Sequence, residues 1–153
     1  LIAQPARGTL RAGDVTYADL FKVSPFGNVL MAITITGGDI RRLLEQQFDN
    51  PRPGGARMLQ VSKGFTYRYR LNAPPGERVD PASIRIDGRL VQPSDRVRAS
   101  TLDFLVFGGD GFTAFHDATD IVSVTPDIDA LAEHVRGHSP LIAPALDRVV
   151  RED

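Results

Sequence analysis

Two glycine-bearing loops carry the side chains best suited to ligand binding. The first reads SPFGN over residues 24–28, and the second reads DFLVFGGDGF over residues 103–112. In the first loop a proline fixes one backbone angle and a glycine permits tight geometry beside it. Phe26 in such a rigid loop is either a plug for the core or a flat platform for a ring-shaped ligand. In the second case Asn28 offers a donor and an acceptor to the edge of a base.

The second loop places three glycines within four positions, which is costly in chain entropy. Such a run marks a turn, or a place where backbone approaches another group closely. It is not a P-loop, because no Lys-Ser/Thr pair follows, and it is not a dinucleotide fingerprint, because no helix with a third glycine follows. An EF-hand loop would need more acidic ligands. Asp110 therefore either stabilises a turn or accepts hydrogen bonds from ligand hydroxyls.

The elements that position these loops follow from capping residues and hydrophobic periodicity. Thr16 and Asp19 form a capping box for a short helix. Residues 29–36 read VLMAITIT, a strand rich in β-branched side chains. A glycine pair is expected to break this strand. Asp39 is then predicted to cap a helix that runs to about residue 48, because apolar side chains recur there at helical spacing.

The rest of the chain alternates short apolar runs with turn residues. The predicted strands and turns are residues 58–61, 65–71 and 82–86, a hairpin turn at Asp87-Gly88, and a second apolar stretch over residues 97–107. Thr125 is predicted to cap a last helix, with Pro126 at its first position and Gly137 just past its end. The pattern predicts the α+β class, a mixed β-sheet with flanking helices. No linker divides the 153 residues, so we expect a single domain.

Composition excludes several kinds of site. The chain is 42% apolar and 24% charged with a net charge of −1, so it has no bulk attraction to nucleic acid or to an anionic membrane. Without cysteine it has no disulfide, thiolate metal site or cysteine nucleophile. No apolar run approaches the roughly 20 residues of a membrane span. Because the chain starts at Leu1 rather than Met, we expect a fragment without its export signal.

The remaining polar residues are predicted to have structural roles. His134 and His138 are spaced like a zinc pair on a helix, but the glycine between them is expected to end that helix. We therefore predict no metal site. The carboxylates outside the glycine loop are interpreted as caps and turn residues: Asp14, Asp39, Asp49 and Asp103.

Four segments together carry a family resemblance, in a matching order and at matching separations. They are VTYxDLFxVxPFGN over residues 15–28, ITGGDIRRLLE over 35–45, LQVSKGFTY over 59–67 and the glycine loop over 103–112. In combination they resemble the C-terminal domain of 5′-nucleotidases and UDP-sugar hydrolases. The resemblance runs across nearly the whole chain. One segment alone would be a weak signal, but four in register argue against a chance similarity.

The resemblance implies a division of labour. In these two-domain enzymes the N-terminal metallophosphatase domain carries two divalent metal ions and the catalytic residues, and the C-terminal domain binds the nucleoside. We therefore expect no catalytic residue and no cofactor in this chain, and no hydrolysis by the chain alone. The partners would be a nucleoside or nucleotide and the metallophosphatase domain of the same polypeptide. The parent enzyme would act in nucleotide catabolism in the periplasm, at the cell surface or after secretion.

The resemblance also implies residue roles. Two aromatic rings clamp the base, an amide contacts its edge, a glycine borders it, a carboxylate binds ribose hydroxyls and an arginine reaches the phosphate end. The matching residues are Phe26 and Phe104, Asn28, Gly55 (with Gly54 one step away), Asp110 and Arg7. The family has a glycine pair before this arginine, whereas residues 3–6 here read AQPA. The alternative function is a stand-alone nucleoside-binding or interaction module, which the gene sequence upstream of Leu1 would distinguish.

Overall fold

The strand that the sequence predicts most clearly, Val29–Thr36 (β2), is the middle strand of a three-stranded antiparallel sheet. Its neighbours are Arg96–Leu102 (β7) and Thr119–Pro126 (β8). Burial alternates along β2, because successive side chains of a strand point to opposite faces. The side chains of Met31, Ile33 and Ile35 are buried in the main core. The computed structural model describes residues 2–3, 6–50, 52 and 55–153.

A second sheet faces this core with four short strands in the order β6-β5-β4-β9. They are Phe65–Tyr69 (β4), Arg85–Ile86 (β5), Arg89–Leu90 (β6) and Val149–Arg151 (β9). β9 runs parallel to β4, whereas the other pairs are antiparallel, so the sheet is mixed. Ile2–Ala3 (β1) and Gln60–Val61 (β3) form a separate antiparallel pair. With its flanking helices, the chain has the predicted α+β fold.

Several predicted strands are shorter in the structure. The stretch over residues 58–61 is strand only at β3, and the stretch over 65–71 ends at Tyr69. The stretch over 82–86 begins as a 3-10 turn, Pro81–Ser83, before β5. The hairpin turn at Asp87-Gly88 is present, with positive φ at both residues. The apolar stretch over 97–107 divides into β7 and one helical turn, Asp103–Val106 (α3).

The first two helices begin at threonines. Thr16 caps Tyr17–Val23 (α1), and the capping box with Asp19 is present as predicted. The prediction that Asp39 caps the second helix is wrong, because the helix, Gly37–Gln46 (α2), begins two residues earlier. The hydroxyl of Thr36 accepts from the Asp39 N–H at 3.1 Å, which satisfies one of the helix's free amides. The glycine pair that follows β2 therefore forms the first two residues of α2 and is not part of a loop.

The last helix, Asp127–Gly137 (α4), also differs from its prediction. Thr125 does not cap it and Pro126 is not its first residue, because β8 extends through Pro126, which occupies the cap position itself. Gly137 is the last helical residue and not the one beyond it. Within the described ranges, no helix is long and apolar enough to span a membrane.

Candidate functional site

The candidate site lies where three strand ends meet at one edge of the three-stranded sheet. Leu30 at the start of β2 pairs with Leu102 at the end of β7, and Val29 pairs with Pro126 at the end of β8. Because both pairings are antiparallel, the loop that precedes β2 lies beside the segments that follow β7 and β8. The loop over residues 24–28 therefore ends at this edge, and the loop over residues 103–112 begins there.

Two hydrogen bonds tie these segments together. The Val29 N–H donates to Asp103 Oδ1 at 3.1 Å, which joins the loop before β2 to the loop after β7. The Asp127 N–H donates to the Asn28 carbonyl at 2.9 Å, which joins the same loop to the start of α4. Asp103 was interpreted as a cap or turn residue; it also accepts from the Phe104 N–H at 2.8 Å. It therefore fixes both loops with one oxygen.

Phe26 does not plug the core, since 45% of its surface is exposed. The following Gly27 has a φ of 63°, which lets the loop turn tightly and holds Phe26 outward. The Arg7 guanidinium lies 5.1 Å from the centroid of the Phe26 ring, within the range of a cation–π contact. The Arg7 N–H also donates to the Val23 carbonyl at 2.9 Å. Arg7 and Phe26 are thus neighbours.

Phe104 lies on the exposed side of α3. Its neighbours Leu105 and Val106 are buried in the core, whereas 41% of the Phe104 surface is exposed. The ring packs directly on the glycine loop: a Cβ added at Gly109 would overlap both the Phe104 ring and its carbonyl oxygen. The glycine run therefore permits a close approach of backbone to an aromatic ring of the same chain, one of the two uses predicted for it.

Asp110 has left-handed backbone, with a φ of 53°, and stands between Gly108 and Gly111, which also have positive φ. Aspartate tolerates this region better than most residues. Asp110 Oδ2 lies 3.8 Å from Arg57 Nε in an ion pair. Arg57 is not among the residues that the sequence predicts for the site. Its position two residues after Gly55 was the available signal, but nothing in the spacing showed that it meets Asp110.

The loop that carries Gly55 lies against the glycine loop. The Gly55 N–H donates to the Arg52 carbonyl at 2.9 Å, which closes a turn, and Arg57 then leads to Asp110. A Cβ at Gly111 would contact the Asn50 side chain at 3.2 Å, so the two loops touch a second time. The alternative glycine, Gly54, lies outside the described residues.

Two buried polar side chains, Gln47 and Tyr67, hold the loop that carries Gly55 against the core. The Gln47 side chain donates to the Leu44 carbonyl at 2.7 Å and accepts from the Leu59 N–H at 3.0 Å. It also hydrogen-bonds with the Tyr67 hydroxyl. Burial raises the pKa of Tyr67 to about 12, so the phenol stays neutral at all ordinary pH values. Both ends of the loop are therefore held by the core.

The predicted residues thus fall into two groups, joined by the bond between Val29 and Asp103. Phe26, Arg7 and Asn28 form one group, which we call the proline wall, and Phe104, Asp110 and Gly55 belong to the other, the glycine wall. Among the described residues neither Phe26 nor Phe104 stacks on another aromatic ring. The Asn28 side-chain amide makes no hydrogen bond to any of those residues either. The base clamp between the two walls stays a prediction.

The described residues contain no group of three or more His, Cys, Asp or Glu side chains that could bind a metal. The spaced pair His134 and His138 has its rings stacked at 4.1 Å, and His138 Nδ1 lies 2.8 Å from the His134 carbonyl. The pair is therefore engaged with its own helix, and these residues do not fit a divalent metal ion.

Comparison with known proteins places the chain in a family. The sequence model described as 5′-nucleotidase, C-terminal domain, matches residues 2–117, and the chain belongs to this family. It is 31% identical over 152 residues to the trifunctional nucleotide phosphoesterase protein YfkN of Bacillus subtilis, across 95% of this chain and 10% of that protein. It is 27% identical over 138 residues to protein UshA of Yersinia enterocolitica, across 90% of this chain and 24% of that protein.

A solved structure supports the same fold. The crystal structure of a 5′-nucleotidase precursor from Thermus thermophilus superposes with a TM-score of 0.82 at 25% identity, over 98% of this chain and 31% of that one. The chain therefore spans between a tenth and a third of the length of these three proteins.

Proposed function

We propose that this domain binds the nucleoside part of a nucleotide for a metal-dependent 5′-nucleotidase that hydrolyses nucleotide phosphate esters in nucleotide catabolism. The observation that carries the proposal is that two half-exposed phenylalanines stand on loops that begin or end at one edge of the same sheet. Phe26 and Phe104 come from loops far apart in sequence that the bond from Val29 to Asp103 joins. Exposed phenylalanines on fixed loops are what a stacking site for a base requires.

Each wall then has a distinct part in binding. Stacking on a base contributes about 1–3 kcal/mol per ring and depends little on which base is present. The Asn28 amide would contact the base edge, and Gly55 would border the base. On the glycine wall Asp110 would accept hydrogen bonds from ribose hydroxyls, exchanging part of its ion pair with Arg57 for them. Because one amide adds only modest selectivity, broad base specificity follows.

The phosphate would extend past the proline wall toward Arg7. The two divalent metal ions belong, in this proposal, to an N-terminal metallophosphatase domain of the same polypeptide. When bound there, such ions supply an activated water and stabilise the leaving oxygen. The residues of this chain bind and orient the nucleoside so that the phosphate reaches that domain. The whole protein would work in the periplasm, at the cell surface or after secretion.

Titration calorimetry of the 153-residue chain with adenosine and with AMP tests the proposal. Stacking and a few hydrogen bonds must offset the free-energy cost of association, so we expect binding of about micromolar affinity or weaker. Phe26→Ala should weaken binding by about 1–3 kcal/mol, whereas the matched control Phe107→Ala should not change it. Phe107 is also in the glycine loop and is 77% exposed, but it has no assigned role. No binding of adenosine to the unaltered chain would contradict the proposal.

A phosphatase assay tests the division of labour separately. The isolated chain should release no phosphate from AMP with added Mn²⁺, Co²⁺ or Zn²⁺, because the part of the chain that the structure describes contains no cluster of the side chains that such ions require. Turnover that survives repurification and disappears in Asp110→Ala would place catalysis in this chain instead.

A further inference from the structure

The C-terminal end of α2 contacts both loops of the glycine wall. Its last residue, Gln46, holds the segment that follows the glycine loop, because the side-chain amide donates to the Thr113 hydroxyl at 2.7 Å. The same side chain accepts from the Ala114 N–H at 3.2 Å, and Ala114 is fully buried. The glycine loop is therefore fixed to the helix at its C-terminal end.

The next residue, Gln47, holds the loop that carries Gly55. Its backbone carbonyl accepts from the Arg57 N–H at 2.7 Å, and its side chain accepts from the Leu59 N–H at 3.0 Å. Gln47 and Leu59 are both buried, so these bonds lie in a low-dielectric environment, where a hydrogen bond is stronger than in water. The backbone of Arg57 is therefore fixed to the core, and its side chain extends toward the glycine loop.

The Arg57 side chain meets the residue to which the proposed function gives the ribose contact. Arg57 Nε lies 3.8 Å from Asp110 Oδ2. This separation is that of an ion pair and is longer than a hydrogen bond, so the pair does not use up the capacity of the carboxylate to accept from hydroxyl groups. The Arg57 and Asp110 side chains are 45% and 22% exposed, so a ligand can reach them from solvent.

The backbone around Asp110 does not by itself fix the direction of the side chain. Asp110 has a φ of 53° and stands between two glycines, and Gly108 and Gly111 also have positive φ. Glycine has more conformational freedom than any other residue, so the direction of a side chain on this turn depends on the contacts that the side chain makes. Arg57 provides an opposite charge from a loop that the core holds in place.

This ion pair should matter more for a ligand than for folding. A partly exposed ion pair contributes little to stability, because water screens the charges and two long side chains lose freedom. A hydrogen bond from a hydroxyl to a carboxylate, in contrast, weakens steeply when its angle or distance departs from the optimum. The direction of the Asp110 carboxylate therefore determines how well it binds a sugar.

We propose that Arg57 is a positioning residue that directs the Asp110 carboxylate toward the ribose hydroxyls, so that the site selects ribonucleosides over nucleosides that lack these hydroxyls. The inference rests on the proposed function, since Asp110 must be the ribose acceptor. Arg57 acts through Asp110 and does not contact the base. A lysine at this position would keep the charge but not the planar guanidinium, and would replace it only in part.

Adenosine and 2′,3′-dideoxyadenosine separate the ribose contact from base stacking, because they share the base and differ in the two hydroxyls. Calorimetry with the unaltered chain should give an affinity about tenfold higher for adenosine, since hydrogen bonds to a charged group are absent from the dideoxy compound. Arg57→Met should reduce this ratio to about twofold, because the carboxylate remains but is less well directed. It should do so by lowering adenosine affinity alone. Arg57→Lys should give an intermediate ratio.

Two further variants serve as controls. Arg52→Met removes an exposed arginine of the same loop that closes the turn with its backbone carbonyl, which a methionine retains, so both affinities should stay unchanged. In Asp110→Ala the acceptor itself is absent, so adding Arg57→Met should not change the ratio further if the two residues act as a unit. Thermal melting without ligand shows that each variant is folded.

Four results would overturn the inference. Equal affinities of the unaltered chain for the two nucleosides would show that Asp110 does not bind the hydroxyls, while base binding would stand. If Arg57→Met lowers both affinities equally, Arg57 is a structural residue of its loop. An unchanged ratio in the folded Arg57→Met variant would show that Asp110 needs no positioning from Arg57. If neither nucleoside binds the unaltered chain, the proposed function fails, and this inference fails with it.

Discussion

The two walls of the candidate site expose a phenylalanine in different ways. The proline wall is a five-residue loop in which Phe26 is held outward by local backbone, with the Arg7 guanidinium as its charged neighbour. The glycine wall is a longer segment that also contributes buried side chains to the core. Leu105 and Phe112 are fully buried there, and only Phe104 and Phe107 are strongly exposed among its aromatic residues.

Because of this difference, we expect substitutions in the two walls to affect ligand binding and folding stability separately. In the proline wall the exposed ring can change with little effect on folding, because no core residue depends on it. In the glycine wall a side chain that belongs to the core lies next to one that belongs to the site. Substitution of the first should lower stability, whereas substitution of the second should lower ligand affinity. Substitutions in the two walls, and in the bond that joins them, test that contrast.

Phe112→Ala should lower the free energy of unfolding by about 3–5 kcal/mol, the usual loss for a buried phenylalanine. The ring is fully buried and packs edge-on against Phe115, with centroids 6.5 Å apart. Phe26→Ala should cost less than about 1 kcal/mol by the same measurement. Urea denaturation of both variants measures the difference. A similar loss of unfolding free energy in the two variants would contradict the distinction between the walls.

Asp103→Ala should lower the free energy of unfolding by about 1.5–3 kcal/mol, since it removes charge-assisted hydrogen bonds to two backbone amides. These are the bonds from Val29 and Phe104, so adenosine affinity should fall as well. Asp103→Asn retains an acceptor oxygen and is the control. A fully stable Asp103→Ala variant with normal affinity would show that the two walls are positioned independently.

Phe104→Ala should weaken adenosine binding by about 1–3 kcal/mol, the loss of one stacking face, and leave the unfolding free energy nearly unchanged. Leu105 and Val106 keep α3 packed on the core without it. Calorimetry with adenosine measures the first effect, and thermal melting without ligand measures the second. Collapse of the fold would make Phe104 a structural residue and withdraw its role in the clamp.

Arg7→Gln should have the smallest effect, about 0.5–1 kcal/mol on the stability of the proline wall, because it removes a cation–π contact at an exposed ring. It should also abolish the slight preference that we expect for AMP over adenosine. Parallel titrations of both ligands test this. A hundredfold preference for AMP in the unaltered chain would indicate a phosphate site elsewhere.

Sequence alone predicted the elements that local interactions define. α1 and β2 were placed correctly because a capping box and a β-branched run are complete within a few residues. β8 was not predicted, although residues 121–125 read IVSVT, a run rich in the β-branched residues that are typical of strands. Most of its residues are exposed in the structure, and its pairing with β2 defines it as a strand. The cap of α2 was misplaced because Asp39 and Thr36 both suit that position, and only the backbone decides between them.

The site was predicted through family resemblance and not through pattern. The resemblance selected Phe26 and Phe104, and the structure places both at the same sheet edge with exposed rings. It could not select Arg57, whose ion pair with Asp110 depends on how two distant loops pack.

The left-handed backbone of Asp110 has a consequence for how this domain can change over generations. A glycine would adopt that φ of 53° without steric strain, and two glycines already flank the position. A library of variants selected only for resistance to heat should therefore be enriched in Asp110→Gly, while one selected for growth on a nucleoside monophosphate should keep the acid. Retention of aspartate at this position under genetic drift would then be a record of selection for the ligand-binding role proposed for it.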